Sequence, residues 1–256
     1  MISNKQTKLI ISLRNKKFRD KLSQYVVEGD KIVREYLDSG EKVIMLVAKA
    51  EWLKDLPADL LKKAAYLAEA TDEELKKVST LKTPHKALAI IEKKEYNLKH
   101  EALDGRLTMA LDFVQDPGNL GTIIRLAAWF GVEDIVCSQD CVDIYNPKVI
   151  QSTMGALLST RVYYTGLQDF LSEARQHGNT VYGTSLSGES VYQADLKPWG
   201  IILLGNESRG ISRDLLKYVD KEIHIPGRDV RMAGVESLNV ATAAGIICSE
   251  FRRRST

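Results

Sequence analysis

Cysteine and proline are both scarce in this chain, with three and six among 256 residues. Cys137, Cys141 and Cys248 cannot all pair with one another, and no CxxC or histidine-rich spacing offers a metal site. Reduced thiols and a cytoplasmic location are therefore expected. No uninterrupted apolar run approaches ~18 residues and the N-terminus lacks the apolar core of a secretory signal, so neither a membrane span nor a leader is expected. A GxGxxG after the first strand and a GxxxxGK[ST] anywhere are both missing, which argues against a nicotinamide-dependent dehydrogenase or a kinase. Repeats and low-complexity tracts are absent as well. So is an excess of one charge: 36 basic residues face 34 acidic ones, for a net +2, and bulk charge announces no nucleic-acid partner.

What is present is local. Between Met1 and Gln24 the basic residues Lys5, Lys8, Arg14, Lys16, Lys17, Arg19 and Lys21 are opposed only by Asp20, and Arg252, Arg253 and Arg254 stand together near the other end. Such clusters can track phosphates even in a near-neutral chain, or can be one solvated helix face. At 44% hydrophobic residues the chain can build two modest domains or one large one.

Short apolar runs alternate with amphipathic ones over the first hundred residues. Strands are predicted over 25–27, 42–48, 65–68 and 87–92, with helices after Gly29-Asp30, over 51–63, and over 72–81 with Thr71 as cap. The polar stretch from Lys93 to Arg106 marks a boundary, giving domains at residues 1–98 and 105–256. Beyond it, strands are expected over 107–114, 134–138, 161–164, 180–186, 200–204 and 222–225. Helices are expected over 120–130, 168–176, 213–219 and 238–253. That alternation predicts a mainly parallel α/β sheet, whose ligands lie beyond the carboxyl ends of its strands.

Three loops fall at those ends. The first runs Asp112-Phe-Val-Gln-Asp-Pro-Gly-Asn-Leu-Gly-Thr-Ile-Ile-Arg125. There Asn119 can cap the following helix, while Arg125 lies off the apolar stripe, as a phosphate-holding guanidinium or as an ordinary surface arginine. The second runs from Ile201 to Ser212. In it Gly205 lets a ligand approach the backbone, Glu207 stands at the strand exit, and Ser212 caps the next helix. The third runs from Ile223-His-Ile-Pro-Gly227 into Glu236-Ser-Leu-Asn-Val-Ala-Thr-Ala-Ala-Gly-Ile-Ile-Cys248, where Ser237 or Asn239 caps a helix rich in small residues.

In this order the three loops resemble the motifs of the SpoU/TrmH branch of the SPOUT methyltransferases, over roughly residues 107–252. The run Asp143-Ile-Tyr-Asn-Pro-Lys-Val-Ile-Gln-Ser-Thr-Met-Gly-Ala156 is typical of that branch. The segment around Tyr25-Val-Val-Glu-Gly29 resembles its ribosomal-protein-like substrate-binding domain. The resemblance implies an α/β-knot catalytic domain with a C-terminal trefoil knot, which no general rule of chain topology would lead one to expect. It implies a homodimer, and transfer of a methyl group from S-adenosylmethionine to a ribose 2′-hydroxyl, of ribosomal RNA first and transfer RNA second. Carried over by residue, Arg125, Asn119, Glu207, Ser237 and Asn239 are the catalytic positions. Thr184, Leu204, Gly205, Ile225 and Leu238 are the cofactor positions, and no metal is implied.

RNA contacts are expected from Arg14, Lys16, Lys17 and Arg19 in the first domain. Two departures stand out: the link Gly227–Glu236, with Arg228 and Arg231, is longer than usual, and Gln151 stands where a basic residue is common. The competing reading is an RNA-binding or ribosome-assembly protein without catalysis, which leaves the full polar set of the three loops unexplained.

Overall fold

A computed structural model describes residues 1–99, 103–227 and 237–254. The long link therefore lies outside the described residues beyond Gly227, Arg228 and Arg231 included. The chain forms two compact units, Met1–Glu95 with Asp143–Leu158, and Tyr96–Val142 with Ser159–Thr256.

The first unit contains α1 (Asn4–Ser12), α2 (Lys16–Leu22), β1 (Gln24–Glu28), α3 (Asp30–Asp38), β2 (Val43–Ala48), α4 (Ala50–Lys54), α5 (Ala58–Leu61), β3 (Leu67–Glu69), α6 (Asp72–Val78) and β4 (Ala87–Glu92). Its sheet has the order β1-β4-β2-β3, antiparallel except for the β2–β3 pair. In β4 the side chains alternate between two cores, Ala87, Ala89 and Ile91 facing one and Leu88 and Ile90 the other. Both faces are thus covered, and the strand reads as one apolar run. The single helix expected over 51–63 is instead two short ones, broken at Asp55-Leu56-Pro57, because proline disfavours the helical conformation in the residue before it. Helix α6 starts at Thr71 as expected, in a capping box with Glu74.

Residues 143–158, assigned from sequence to the second domain, pack within the first unit. They carry α8 (Pro147–Thr153). Tyr145 lies 4.6 Å from the Tyr25 ring, Ile150 is buried in the core that contains Tyr25, and Asp143 pairs with the buried Arg19 at 2.7 Å. The consecutive-domain expectation misses this because burial follows contacts rather than chain order.

The second unit contains β5 (Leu107–Leu111), α7 (Pro117–Trp129), β6 (Asp134–Cys137), β7 (Arg161–Tyr164), α9 (Leu167–Gln176), β8 (Val181–Ser190), β9 (Gly200–Leu204), β10 (Lys221–His224) and α10 (Val240–Arg253). All six strands are parallel, in the order β10-β8-β9-β5-β6-β7. Strands β5, β6 and β9 are buried throughout, as sheets covered on both faces require. The chain runs outward from β5 to β6 and β7, then returns on the other side of β5. The order therefore reverses between β5 and β9, and the loops leaving those strands flank a topological switch point. The helix expected over 213–219 is only a 3₁₀ turn at Leu216–Tyr218, and Ser212 caps nothing: its N–H donates to Asp112 Oδ2 at 2.7 Å. The cysteines are free and buried.

Candidate active site

The switch point is stitched together by the two loops that flank it. Asp112, 6% exposed at the end of β5, donates its N–H to the Leu204 carbonyl at 2.9 Å and accepts from the Ser212 N–H. Phe113 then takes a left-handed φ of +59°. A bulky residue there costs roughly 1–3 kcal/mol and persists only where its surroundings fix it. Both faces of its backbone are held, the N–H by Ser138 Oγ at 3.0 Å and the carbonyl by Asn206 Nδ2 at 3.1 Å. Asn206 Oδ1 in turn accepts from the Ser208 and Arg209 N–H groups at 2.9 and 3.1 Å.

Helix α7 is capped by Asp116, whose Oδ1 accepts from the Asn119 N–H at 2.8 Å, with Pro117 at the first helical position. Asn119 is thus not the cap, as sequence had suggested. Proline at the first turn shifts the cap to the residue before it. The correction matters chemically, since it leaves the Asn119 side chain available. Its Nδ2 donates to Glu207 Oε1, and its Oδ1 accepts from Asn239 Nδ2 at 2.9 Å. Asn239 Oδ1 meanwhile accepts from the Ala241 and Thr242 N–H groups at 3.0 and 3.2 Å, capping α10. Of the two candidate caps it is Asn239 that serves. One short relay, Glu207–Asn119–Asn239, joins all three sequence loops.

Gly205 has a structural reason besides the one read from sequence. A Cβ there would strike the Gly210 and Ile211 backbone, because the loop folds over it in an Asn206–Gly210 bridge with bonds of 3.0 and 2.8 Å. Its own chain thus requires a glycine here, independently of any ligand. Thr184 and Leu204 directly follow the Gly183–Leu203 pair, the last between β8 and β9, while β10 meets the same β8 residue through Glu222. Between Glu222 and Ile223 the partner on β8 jumps from Gly183 to Glu189, so residues 184–188 bulge out at the carboxyl end. Ile225 follows β10 half-buried, and Leu238 is 45% exposed. The Leu204 side chain is buried, so only its backbone can meet a ligand.

Arg125 and Ser237 do not join the relay. Both are exposed, and among the described residues the Arg125 side chain has no partner. Arg125 lies six residues beyond Asn119, about 9 Å along the helix and on a different face.

The expected RNA contacts divide in the first unit. Arg19 is 2% exposed: Nε and Nη2 donate to Asp143 Oδ2 at 3.1 and 2.7 Å, and Nη1 to the Leu13 and Arg14 carbonyls at 3.0 and 2.8 Å. It cannot reach a phosphate and is removed from that set. Arg14 is exposed, yet its Nη2 sits on the Val78 and Ser79 carbonyls at 3.1 and 2.9 Å, closing the end of α6. Lys16 and Lys17 remain exposed, Lys16 with Asp20 at 2.8 Å. Sequence reading missed Asp116 and Asn206. The Asp-Pro pair was the signal for the first; nothing local marks the second.

A parallel α/β unit whose polar side chains gather at the switch point defines an enzyme that works beside the ends of β5, β9 and β10. The SpoU rRNA Methylase family model matches residues 106–249, and a model of the MRM3-like substrate binding domain matches residues 4–89. The chain belongs to the SpoU rRNA methylase family, and it is an RNA 2′-O-ribose methyltransferase that uses S-adenosylmethionine. It is 30% identical over 250 residues to the Bacillus subtilis 23S rRNA (guanosine(2553)-2′-O)-methyltransferase RlmP, covering 97% of this chain and 96% of that one. Among solved structures, the AdoMet-bound rRNA methyltransferase of Sinorhizobium meliloti superposes with a TM-score of 0.88 at 29% identity, covering 100% of this chain and 97% of its own. A TrmH-family protein of Porphyromonas gingivalis gives 0.85 at 37%, covering 99% of both.

The residues present fit the methyl donor. His224 Nδ1, one residue before Ile225, is buried and has no hydrogen-bond partner among the described residues. Such an orphaned polar atom invites a ligand's polar edge. Among the described residues no cluster of metal ligands occurs, and no helix is long and apolar enough to cross a membrane.

Proposed function

We propose that this enzyme methylates ribosomal RNA, with transfer RNA as the second choice, in the cytoplasm as a homodimer whose C-terminal chain is knotted. The observation that carries the reading is the Glu207–Asn119–Asn239 relay, which ties the exits of β5 and β9 to the head of α10. A dimer is supported by Trp129, 83% exposed at the end of α7, the helix that packs on α10.

S-adenosylmethionine supplies an activated methyl group. The protein must align a 2′-oxygen with it and ease the proton off. Backbone at Leu204, Gly205 and Ile225, with Thr184 and Leu238, would hold the donor. A guanidinium offers donors and no acceptor, which suits Arg125 to holding an anion. Its role in this reading is to anchor the phosphate beside the target ribose and to stabilise charge developing on the 2′-oxygen. The resemblance implies a site completed across the dimer, and in this reading Arg125 serves the site of the second subunit. Glu207 fixes the Asn119 amide, and Asn119 with Asn239 and Ser237 orients the hydroxyl. Lys16 and Lys17 guide the RNA backbone, and the 2′-hydroxyl separates RNA from DNA.

Labelled S-adenosylmethionine incubated with total RNA tests the reading. Label should appear in ribosomal RNA at ribose-methylated positions. Label confined to transfer RNA, or to bases, would overturn it.

A further inference from the structure

Most arginines named so far have given their donors to the fold. Arg14 and Arg19 bond carbonyls or a carboxylate, and so do Arg252, Arg253 and Arg254. Arg209 differs. It is exposed, two residues beyond Glu207, and among the described residues its guanidinium makes neither an ion pair nor a hydrogen bond. Its contact is with an aromatic face: the guanidinium carbon lies 5.2 Å from the centre of the Phe113 ring. A cation held over a ring in this way keeps its N–H groups free for another partner. Those groups are what a phosphodiester recognises.

The ring that supports it is held at a cost. Phe113 occupies the left-handed region at +59°, where glycine or asparagine would be at ease. Its backbone is clamped by Ser138 and Asn206, and that same Asn206 side chain accepts from the Arg209 N–H. The clamp therefore sets ring and arginine together. A strained aromatic kept at the mouth of a site points to a use for its side chain. Neither residue belongs to the relay, and no motif assigned either a role.

We propose that Phe113 and Arg209 form a preset phosphate grip, in which the ring holds the guanidinium in place so that its free N–H groups take an RNA phosphodiester adjoining the methylated ribose. The inference rests on the RNA methyltransferase reading above and adds a specificity residue to which the resemblance assigns no role.

Steady-state methylation of ribosomal RNA at several salt concentrations tests it, with calorimetry of S-adenosylmethionine alongside. Arg209→Ala should raise KM for RNA about tenfold with kcat within about twofold, leave cofactor affinity unchanged, and flatten the salt dependence by about one phosphate contact. Arg209→Lys should restore the salt slope but only part of the affinity, since charge returns without the forked donors. Phe113→Asn suits the left-handed backbone, so the fold should hold while RNA KM rises a few-fold. An Arg209→Ala enzyme with unaltered RNA KM and salt slope would overturn the grip, as would one that loses cofactor affinity as much as RNA affinity. Failure of the parent enzyme to methylate any RNA would instead sink the functional reading itself.

Discussion

The two units treat their polar side chains in opposite ways. In the first, the arginines that look most like RNA contacts are consumed by the fold, with Arg19 buried on Asp143 and Arg14 closing α6. In the second, Asn119, Glu207 and Asn239 bond one another at a strand-end site, while Arg125 and Arg209 are exposed and unpaired among the described residues. A count of basic residues therefore locates no binding surface. What locates one is the fate of each donor.

The sharpest test of that contrast replaces an arginine of each kind. Arg125→Ala should lower methyl transfer about 10³-fold or more, as loss of a charge-stabilising donor does. Cofactor affinity should stay intact by calorimetry and thermal stability should be unchanged. Loss of cofactor binding in this variant would place Arg125 in the donor site instead. Arg19→Ala should behave in the reverse sense, costing about 3–5 kcal/mol by leaving Asp143 and two carbonyls without their partner in a largely buried setting. Denaturant unfolding measures it. Normal stability combined with weakened RNA binding would return Arg19 to the surface and erase the difference between the units.

A finer cut falls within the relay. Asn239 has two duties, capping α10 through Oδ1 and donating to Asn119 through Nδ2. Asn239→Asp keeps the cap acceptor but replaces the donor with a second acceptor facing Asn119. The helix should retain its stability, whereas Asn239→Ala should cost about 1 kcal/mol. Both should lose activity, by about 10²-fold, with the cofactor still bound. An active Asn239→Asp enzyme would reduce the relay to a cap.

Much of this molecule was legible in advance. Strands 87–92 and 200–204 coincide with β4 and β9, because sheets covered on both faces write continuous apolar runs, and 161–164 coincides with the edge strand β7. The loop positions followed from the strand-end rule, and the SpoU motifs named the chemistry. Other features depend on three-dimensional bookkeeping that no window of sequence contains. Arg19 is indistinguishable from its exposed neighbours Lys16 and Lys17 until Asp143, 124 residues away, arrives beside it. Gly205 is needed for a reason no window shows, since the Gly210 and Ile211 backbone fills the space a Cβ would take. Asn119 and Asp116 compete for one cap, and only the proline between them favours the outcome observed.

The smallest effect lies at the edge of the first unit's basic surface. Asp20 accepts from Lys16 at 2.8 Å and from Lys93 at 2.6 Å, and these bonds, Lys16's first, hold its carboxyl down to about 2. The folded value lies below the unfolded one of about 3.9, so the stabilisation is complete above that pH and is lost as pH falls through about 2. Asp20 is half exposed, and solvent screening keeps the contribution well under about 1 kcal/mol. Asp20→Asn should therefore lower stability slightly at pH 7, less near pH 2 and not at all well below it, as acid titration of unfolding would register. The same change releases Lys16 from its counter-charge. If Lys16 and Lys17 track the RNA backbone, RNA affinity at low salt should rise by about two- to threefold. RNA affinity that stays flat across the salt range would strip Lys16 of that role, leaving the first unit with fewer open cations than its sequence advertises.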